Sequence, residues 1–125
     1  MSSFDEIYKK QEEFENLLIR KYSEGKQWPN KPLSEFNKKE KTAFCKDLAL
    51  LLYQEVGEFV NAVGNYKTHK TQEDGKDEEE IKEEIADMLI FVLNMALTYN
   101  MMSQELIDEV EKKQKINFNR QETGY

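Results

Sequence analysis

The chain has 125 residues, of which 38% are hydrophobic and 34% charged, with only 5 Gly and 2 Pro. That is one domain, residues 1–125, with room for a real core and a composition that favours helices; it is short for a self-contained catalytic cleft, so partner subunits are expected to complete any site. A net charge of −7 and a pI near 4.9 argue against a general binder of phosphate backbones, which needs a basic stripe, and so against a nucleic-acid partner; they suit cation capture instead.

In the first segment Phe4, Ile7, Tyr8, Phe14, Leu17 and Leu18 recur at mostly helical spacing, and Ser3 with Glu6 forms a capping box. A helix is expected from about Phe4 to Tyr22. Gly25, Pro29, Asn30 and Pro32 then break the pattern, leaving a loop that holds the single tryptophan, Trp28. Asn37 with Glu40 caps a second, proline-free helix running to about Tyr66. Gly57 and Gly64 lie inside it, marking close packing or a bound ligand, or, for Gly64, the fraying end.

A polar stretch around His69 and Gly75 connects onward; it lacks the alternating oxygen ligands of a calcium loop, and no Gly-rich phosphate loop is present. Asp77 with Glu80 caps a third helix reaching about Asn100, and Ser103 caps a fourth. On the fourth, Leu106, Val110, Lys113, Asn117 and Arg120 fall at offsets 0, 4, 7, 11 and 14, one stripe that turns from apolar to cation and amide. The longest apolar run, Met88 to Leu93, stops at Asn94, far short of the roughly 20 residues that cross a bilayer. Cys45 is the single cysteine and no targeting segment is visible, so the cytoplasm is the expected compartment. The class is all-α.

Two acid pairs stand out. Glu55 with Glu58, and Glu84 with Asp87, each have i, i+3 spacing, which stacks both carboxylates on one helix face. Leu48, Leu51, Leu52, Phe59, Ala62 and Val63 flank the first pair at core-facing spacing; Ile81, Ile85, Met88, Leu89, Val92 and Leu93 flank the second. Up to four carboxylates are therefore aimed at or beside an apolar seam, a costly arrangement unless neutralised. Spacing alone equally allows each pair to be a solvated helix edge. Four such oxygens suit Mg²⁺, with Mn²⁺ as the alternative ion. A di-iron site would need Glu-x-x-His motifs, yet His69 has Tyr66 three residues before it. Neither Cys45 nor His69 sits in a nucleophile and base pattern. Lys113, Asn117 and Arg120 add donors suited to phosphate oxygens. Metal-assisted attack of water on a phosphoanhydride is the chemistry this inventory allows.

Glu55-x-x-Glu58, followed after 25 residues by Glu84-x-x-Asp87, resembles the signature of the MazG-like, all-α nucleoside triphosphate pyrophosphatases. From Phe91 to the C-terminus, the FVLNM segment, the spacing of Lys113, Asn117, Phe118, Arg120 and Gln121, and the closing Gly124-Tyr125 resemble the phage-type dCTP/dUTP pyrophosphatases. The resemblance implies a four-helix MazG-like bundle completed by oligomerisation, as a homodimer or homotetramer. It implies hydrolysis of dUTP or dCTP to the monophosphate and pyrophosphate. Glu55, Glu58, Glu84 and Asp87 would be the metal ligands and catalytic acids, with Glu55 the choice for the base; Lys113, Asn117 and Arg120 would contact phosphate. Tyr66, near the end of the second helix, and Trp28 would contact the base, although Tyr66 could equally pack the core and Trp28 could equally anchor its loop. The chain is more compact than the longer dUTP-specific dimeric relatives, which leaves dCTP open. Two alternatives remain: a broad pyrophosphatase that clears damaged nucleotides, and a non-catalytic helical interaction protein.

Overall fold

The structure, a computed structural model, describes residues 1–64 and 78–124. It contains α1 (Phe4–Tyr22), a 3-10 turn at Leu33–Glu35, α2 (Lys38–Val63), α3 (Glu78–Thr98) and α4 (Ser103–Thr123), with no strand among the described residues. The all-α class and the four helices are as the sequence implies, and none of these helices is by itself long and apolar enough to cross a membrane.

The helix ends follow from local chemistry. The Ser3 hydroxyl accepts from the Glu6 amide, satisfying one of the open donors of α1. At α2 both halves of a capping box form: the Glu40 amide donates to Asn37 Oδ1 at 2.9 Å, and the Asn37 amide donates to Glu40 Oε1 at 2.8 Å. The bond from the Asn37 amide, with Lys31 at 3.0 Å, holds the Glu40 carboxyl below the usual range. The second helix ends at Val63 rather than near Tyr66, because Gly64 turns to φ 76°, a conformation that side chains with a Cβ resist. α3 stops at Thr98, two residues earlier than expected. There Asn100 adopts φ 57°, the Met101 amide donates to the Ala96 carbonyl and the Asn100 amide to the Leu97 carbonyl, the paired bonds of a Schellman motif.

Ser103 is not the cap of α4. The Met102 amide donates to Glu105 Oε1 at 2.9 Å, and Ser103 is the first helical residue, its hydroxyl donating to Asp5 Oδ1 at 2.7 Å. That bond and the Lys9 ammonium hold the Asp5 carboxyl low, and they tie the start of α4 to the start of α1.

The core sits at one end of an antiparallel α2/α3 pair, the most extensive helix contact in the molecule. There Phe44 and Leu48 of α2 and Leu93, Ala96 and Leu97 of α3 meet Tyr8 and Ile19 of α1, with Trp28, Leu33 and Phe36 from the loop. Trp28 and Phe36 both meet the Phe44 ring edge-on, at 5.0 and 5.6 Å. Polar pins cross the same core: Tyr8 Oη donates to the Met101 carbonyl at 2.8 Å, Gln11 Nε2 to Asn94 Oδ1 at 2.9 Å and the Leu33 amide to Asn16 Oδ1 at 3.0 Å.

Among the described residues, the cover runs out toward the other end of the pair. α4 leaves α3 at a bend of 112° and packs chiefly on α1, so along α2 beyond Leu48 only Leu52, Glu55, Phe59 and Ala62 are withdrawn from solvent. On α3 the matching positions are Ile81, Glu84, Met88 and Phe91. Both sets alternate steps of three and four, the seam of two helices packed side by side. Leu51, Val63, Ile85, Leu89 and Val92, which the sequence placed toward a core, are exposed in this chain. On α1 the expected face is also shifted: Ile7, Phe14 and Leu17 are exposed, while Tyr8, Glu15 and Ile19 are buried.

Candidate functional site

The seam spacing places Glu55 and Glu84 opposite each other, both half-buried, at the end of the α2/α3 pair that α1 does not cover. Glu58, one turn on from Glu55, reaches the same point from the exposed edge. One carboxylate oxygen from each of Glu55, Glu58 and Glu84 lies within 4.8 Å of the other two. Asp87, the fourth acid of the expected set, is exposed one turn from Glu84 and is close enough for its charge to act on Glu55. Three of the four acids are thus drawn to a point and the fourth stands beside it.

The electrostatics are unfavourable as they stand. Burial pushes the Glu55 carboxyl above its ordinary range, and the charges of Glu58, Asp87 and Glu84 push it further the same way. Oε2 of Glu55 is sealed from solvent and has no hydrogen-bond partner among the described residues; buried carboxylate oxygens are ordinarily bonded. Convergent, hard oxygen donors with one such orphaned atom fit a small divalent cation, whose charge would reverse the local repulsion. In chemical terms the cluster offers oxygen ligands on an open rim, where a phosphate and water have access.

Gly57, between the two acids of α2, has open space where a Cβ would stand, so close packing within this chain is not its reason. Lys113, Asn117 and Arg120 are all exposed on α4, a helix with no buried residue. Tyr66 lies outside the described residues, as do His69, Gly75 and Asp77.

Trp28 is buried, and its indole Nε1 donates to Asp47 Oδ2 at 2.7 Å, so it does anchor its loop to α2. It also forms part of the wall of a pocket of about 400 Å³ between α1, the loop and α2. Leu48 and Leu51, on that wall, continue on one stripe of α2 to Glu55 and Glu58, at offsets 0, 3, 7 and 10. Pocket and acid cluster therefore open along the same helix face, with Leu48 and Glu55 about 10 Å apart at 1.5 Å rise per residue.

One residue of this pocket escaped the reading of the sequence. Glu15 is buried on α1 and lines the pocket with Trp28, Phe44 and Leu48. Its signal was Tyr8, Gln11, Glu15 and Ile19, a stripe at steps of three and four in which two polar residues interrupt apolar ones. Counting hydrophobic residues alone selects the neighbouring face instead.

A family model described as dUTPase matches residues 3–110, which include Trp28 and all four acids. The chain belongs to this dUTPase family. Membership supports a dUTP diphosphatase-type function, with a nucleotide as substrate. The matched span ends before Lys113. No curated protein and no solved structure matches the chain significantly.

Proposed function

We propose that the protein hydrolyses a pyrimidine deoxynucleoside triphosphate, dUTP or dCTP, to the monophosphate and pyrophosphate, using Mg²⁺, or Mn²⁺ in its place, held by Glu55, Glu58, Glu84 and Asp87. The observation that carries this reading is the convergence of Glu55, Glu58 and Glu84 around a sealed Glu55 oxygen in a dUTPase family chain. The bound cation would supply Lewis acidity at the phosphate and a more acidic water. The chain's own residues do the rest. The four acids would hold that ion, and Glu55, the more buried of the two acids on α2, takes the proton from water. Lys113, Asn117 and Arg120 offer N–H donors to the phosphate oxygens from exposed positions on α4. Trp28 walls the base end, in the pocket that opens along the same face of α2 as the acids.

Substrate class is read from initial rates of pyrophosphate release across dUTP, dCTP, dTTP, dATP and dGTP. Rates with dUTP or dCTP should exceed those with the purine nucleotides by at least about 100-fold, roughly 2.7 kcal/mol of transition-state discrimination. Equal rates on purines and pyrimidines would contradict the pyrimidine assignment.

A second copy of the chain covers the faces left bare here. Val56, Val60 and Val63 of α2 and Ile85, Leu89 and Val92 of α3 are exposed beside the acid cluster, more apolar surface than a lone soluble chain usually leaves in one region. Between α3 and α4 a groove of about 260 Å³, lined by Leu89, Val92, Leu106 and Val110, continues that surface. In sedimentation velocity the protein should run as a dimer or larger, and Leu89→Asp should shift it to the 14.8 kDa monomer. A wild-type protein that sediments as a monomer at micromolar concentration contradicts this assignment.

A further inference from the structure

The pocket between α1, the Trp28 loop and α2 is mostly apolar, with walls from Leu18, Ile19, Trp28, Phe44, Leu48 and Leu51. Its volume of about 400 Å³ is within the range of small-molecule sites. A carboxyl is an odd group to place there. Glu15 is buried to 5% exposure, and no hydrogen bond is needed to hold it, since Tyr8 and Ile19 on the same stripe fix α1 against the core. The other titratable groups on the pocket walls are Tyr22 from α1, Lys26 from the loop and Asp47 from α2, whose Oδ2 is committed to the Trp28 indole; α3 contributes no lining residue. Ligand sites of this kind are apolar with one or two placed polar groups that fix orientation, and Glu15 answers that description.

We propose that Glu15 is the specificity-determining group that reads the base, its carboxyl exchanging a pair of hydrogen bonds with one edge of a pyrimidine ring seated beside Trp28. The proposal rests on the reading of the chain as a pyrimidine nucleotide hydrolase, and it names the atoms that recognise the base. A protonated carboxyl presents one O–H donor and one C=O acceptor side by side. Cytosine presents the acceptor N3 beside the amino donor at C4; uracil presents the donor N3–H beside the acceptor O4. The carboxyl meets either edge according to which of its two oxygens carries the proton, so one residue accommodates both pyrimidines. A carboxylate only accepts and would leave the ring's own acceptor facing negative charge. Burial alone pushes the Glu15 carboxyl up to about 7, so the donor is present in mildly acid solution and is lost as the pH rises past neutrality.

Trp28 is the only tryptophan and forms part of the pocket wall, so its emission reports occupancy. The test is a titration of the metal-free protein with 2′-deoxycytidine and with 2′-deoxyuridine, followed by Trp28 fluorescence at pH 6 and pH 8. Both nucleosides should bind saturably at pH 6, and each apparent Kd should rise about tenfold at pH 8, as the protonated fraction falls. Glu15→Gln, which carries a fixed donor and acceptor, should bind with the same affinity at both pH values. Glu15→Leu, which has neither, should bind at least about tenfold more weakly at pH 6 while unfolding cooperatively. Equal wild-type affinity at the two pH values, a pH dependence that survives in Glu15→Gln, or undiminished binding by Glu15→Leu would each overturn the proposal. Free nucleosides carry no phosphate and need no metal, so failure here leaves the hydrolase reading standing. A protein that binds nucleosides in this way but releases no pyrophosphate from dUTP or dCTP supports the Glu15 assignment and loses the hydrolase reading alone.

Discussion

Replacing Glu58 with Gln is expected to lower the rate of pyrophosphate release from dUTP by at least about 100-fold, some 2.7 kcal/mol of lost transition-state stabilisation, with helicity unchanged. Glu58 is exposed and contributes its carboxylate to the cluster from the rim, so the amide disturbs no core contact. It removes a charge and a cation ligand and little else. The partner experiment is Glu55→Gln, where activity and stability should move in opposite directions. Glu55 is pushed up by burial and by three neighbouring acids, and its Oε2 is sealed with no partner among the described residues, so the wild-type cluster strains the metal-free fold. An uncharged amide relieves the repulsion. The metal-free variant should therefore melt above the wild type, should gain less from added Mg²⁺, and should be inactive. A solvated helix edge predicts neither the loss of turnover nor the gain in melting temperature. Full activity in Glu58→Gln would remove the acid cluster from the mechanism.

The second large effect belongs to Glu15 and concerns stability. Its carboxyl titrates at about 7 in the fold against an ordinary 4.5, with burial as the cause. Between those two values the unfolded chain has lost this proton and the folded chain keeps it. Stability contributed by the neutral carboxyl is thus fully present below the unfolded value, falls as pH rises through this window and levels off above about 7. The total loss is on the order of 3 kcal/mol. Glutamine has no proton to lose, so Glu15→Gln should be more stable than the wild type at pH 8 by up to about 3 kcal/mol, the two converging near pH 4.5. Urea denaturation of both proteins across that range gives the difference directly, because the two chains differ only at this residue. A difference that stays flat with pH would show that Glu15 titrates in the fold as it does in the unfolded chain.

Helix positions were legible because they are set by local chemistry. Ser3, Asn37 and the polar loop residues announce the starts of α1 and α2; the Asn37–Glu40 box forms in full, whereas at Ser3 the Glu6 carboxylate accepts from the hydroxyl and not from the Ser3 amide, so only half of that box forms. The end of α3 was less so: Asn100 is a residue type that accepts the left-handed conformation, but the Schellman pair that stops the helix also depends on Ala96 and Leu97 presenting their carbonyls to it. The acids were legible as pairs, since i, i+3 spacing is a property of one helix. Their convergence required the register between α2 and α3, which sequence spacing does not contain; the structure pairs Glu55 with Glu84 and leaves Asp87 at the edge.

The phase of α1 misled for a physical reason. Phe14 and Leu17 are the more hydrophobic residues, yet the buried stripe carries Gln11, which bonds Asn94 across the core, and Glu15, which faces a pocket. Burial followed the partners available on α3 and α2. Leu51, Leu89 and Val92 illustrate the complementary limit: their apolar character signals a contact, and among the described residues, with α4 turning away by 112°, no surface supplies it.

Product analysis with and without a divalent cation decides whether these acids hold one for attack on a nucleoside triphosphate. Purified protein, freed of metal with a chelator and then given dUTP and Mg²⁺, should form dUMP and pyrophosphate in equal amounts, and should form neither while the chelator is in excess. Turnover that persists without a divalent cation, or release of orthophosphate with dUDP in place of pyrophosphate with dUMP, would contradict the account.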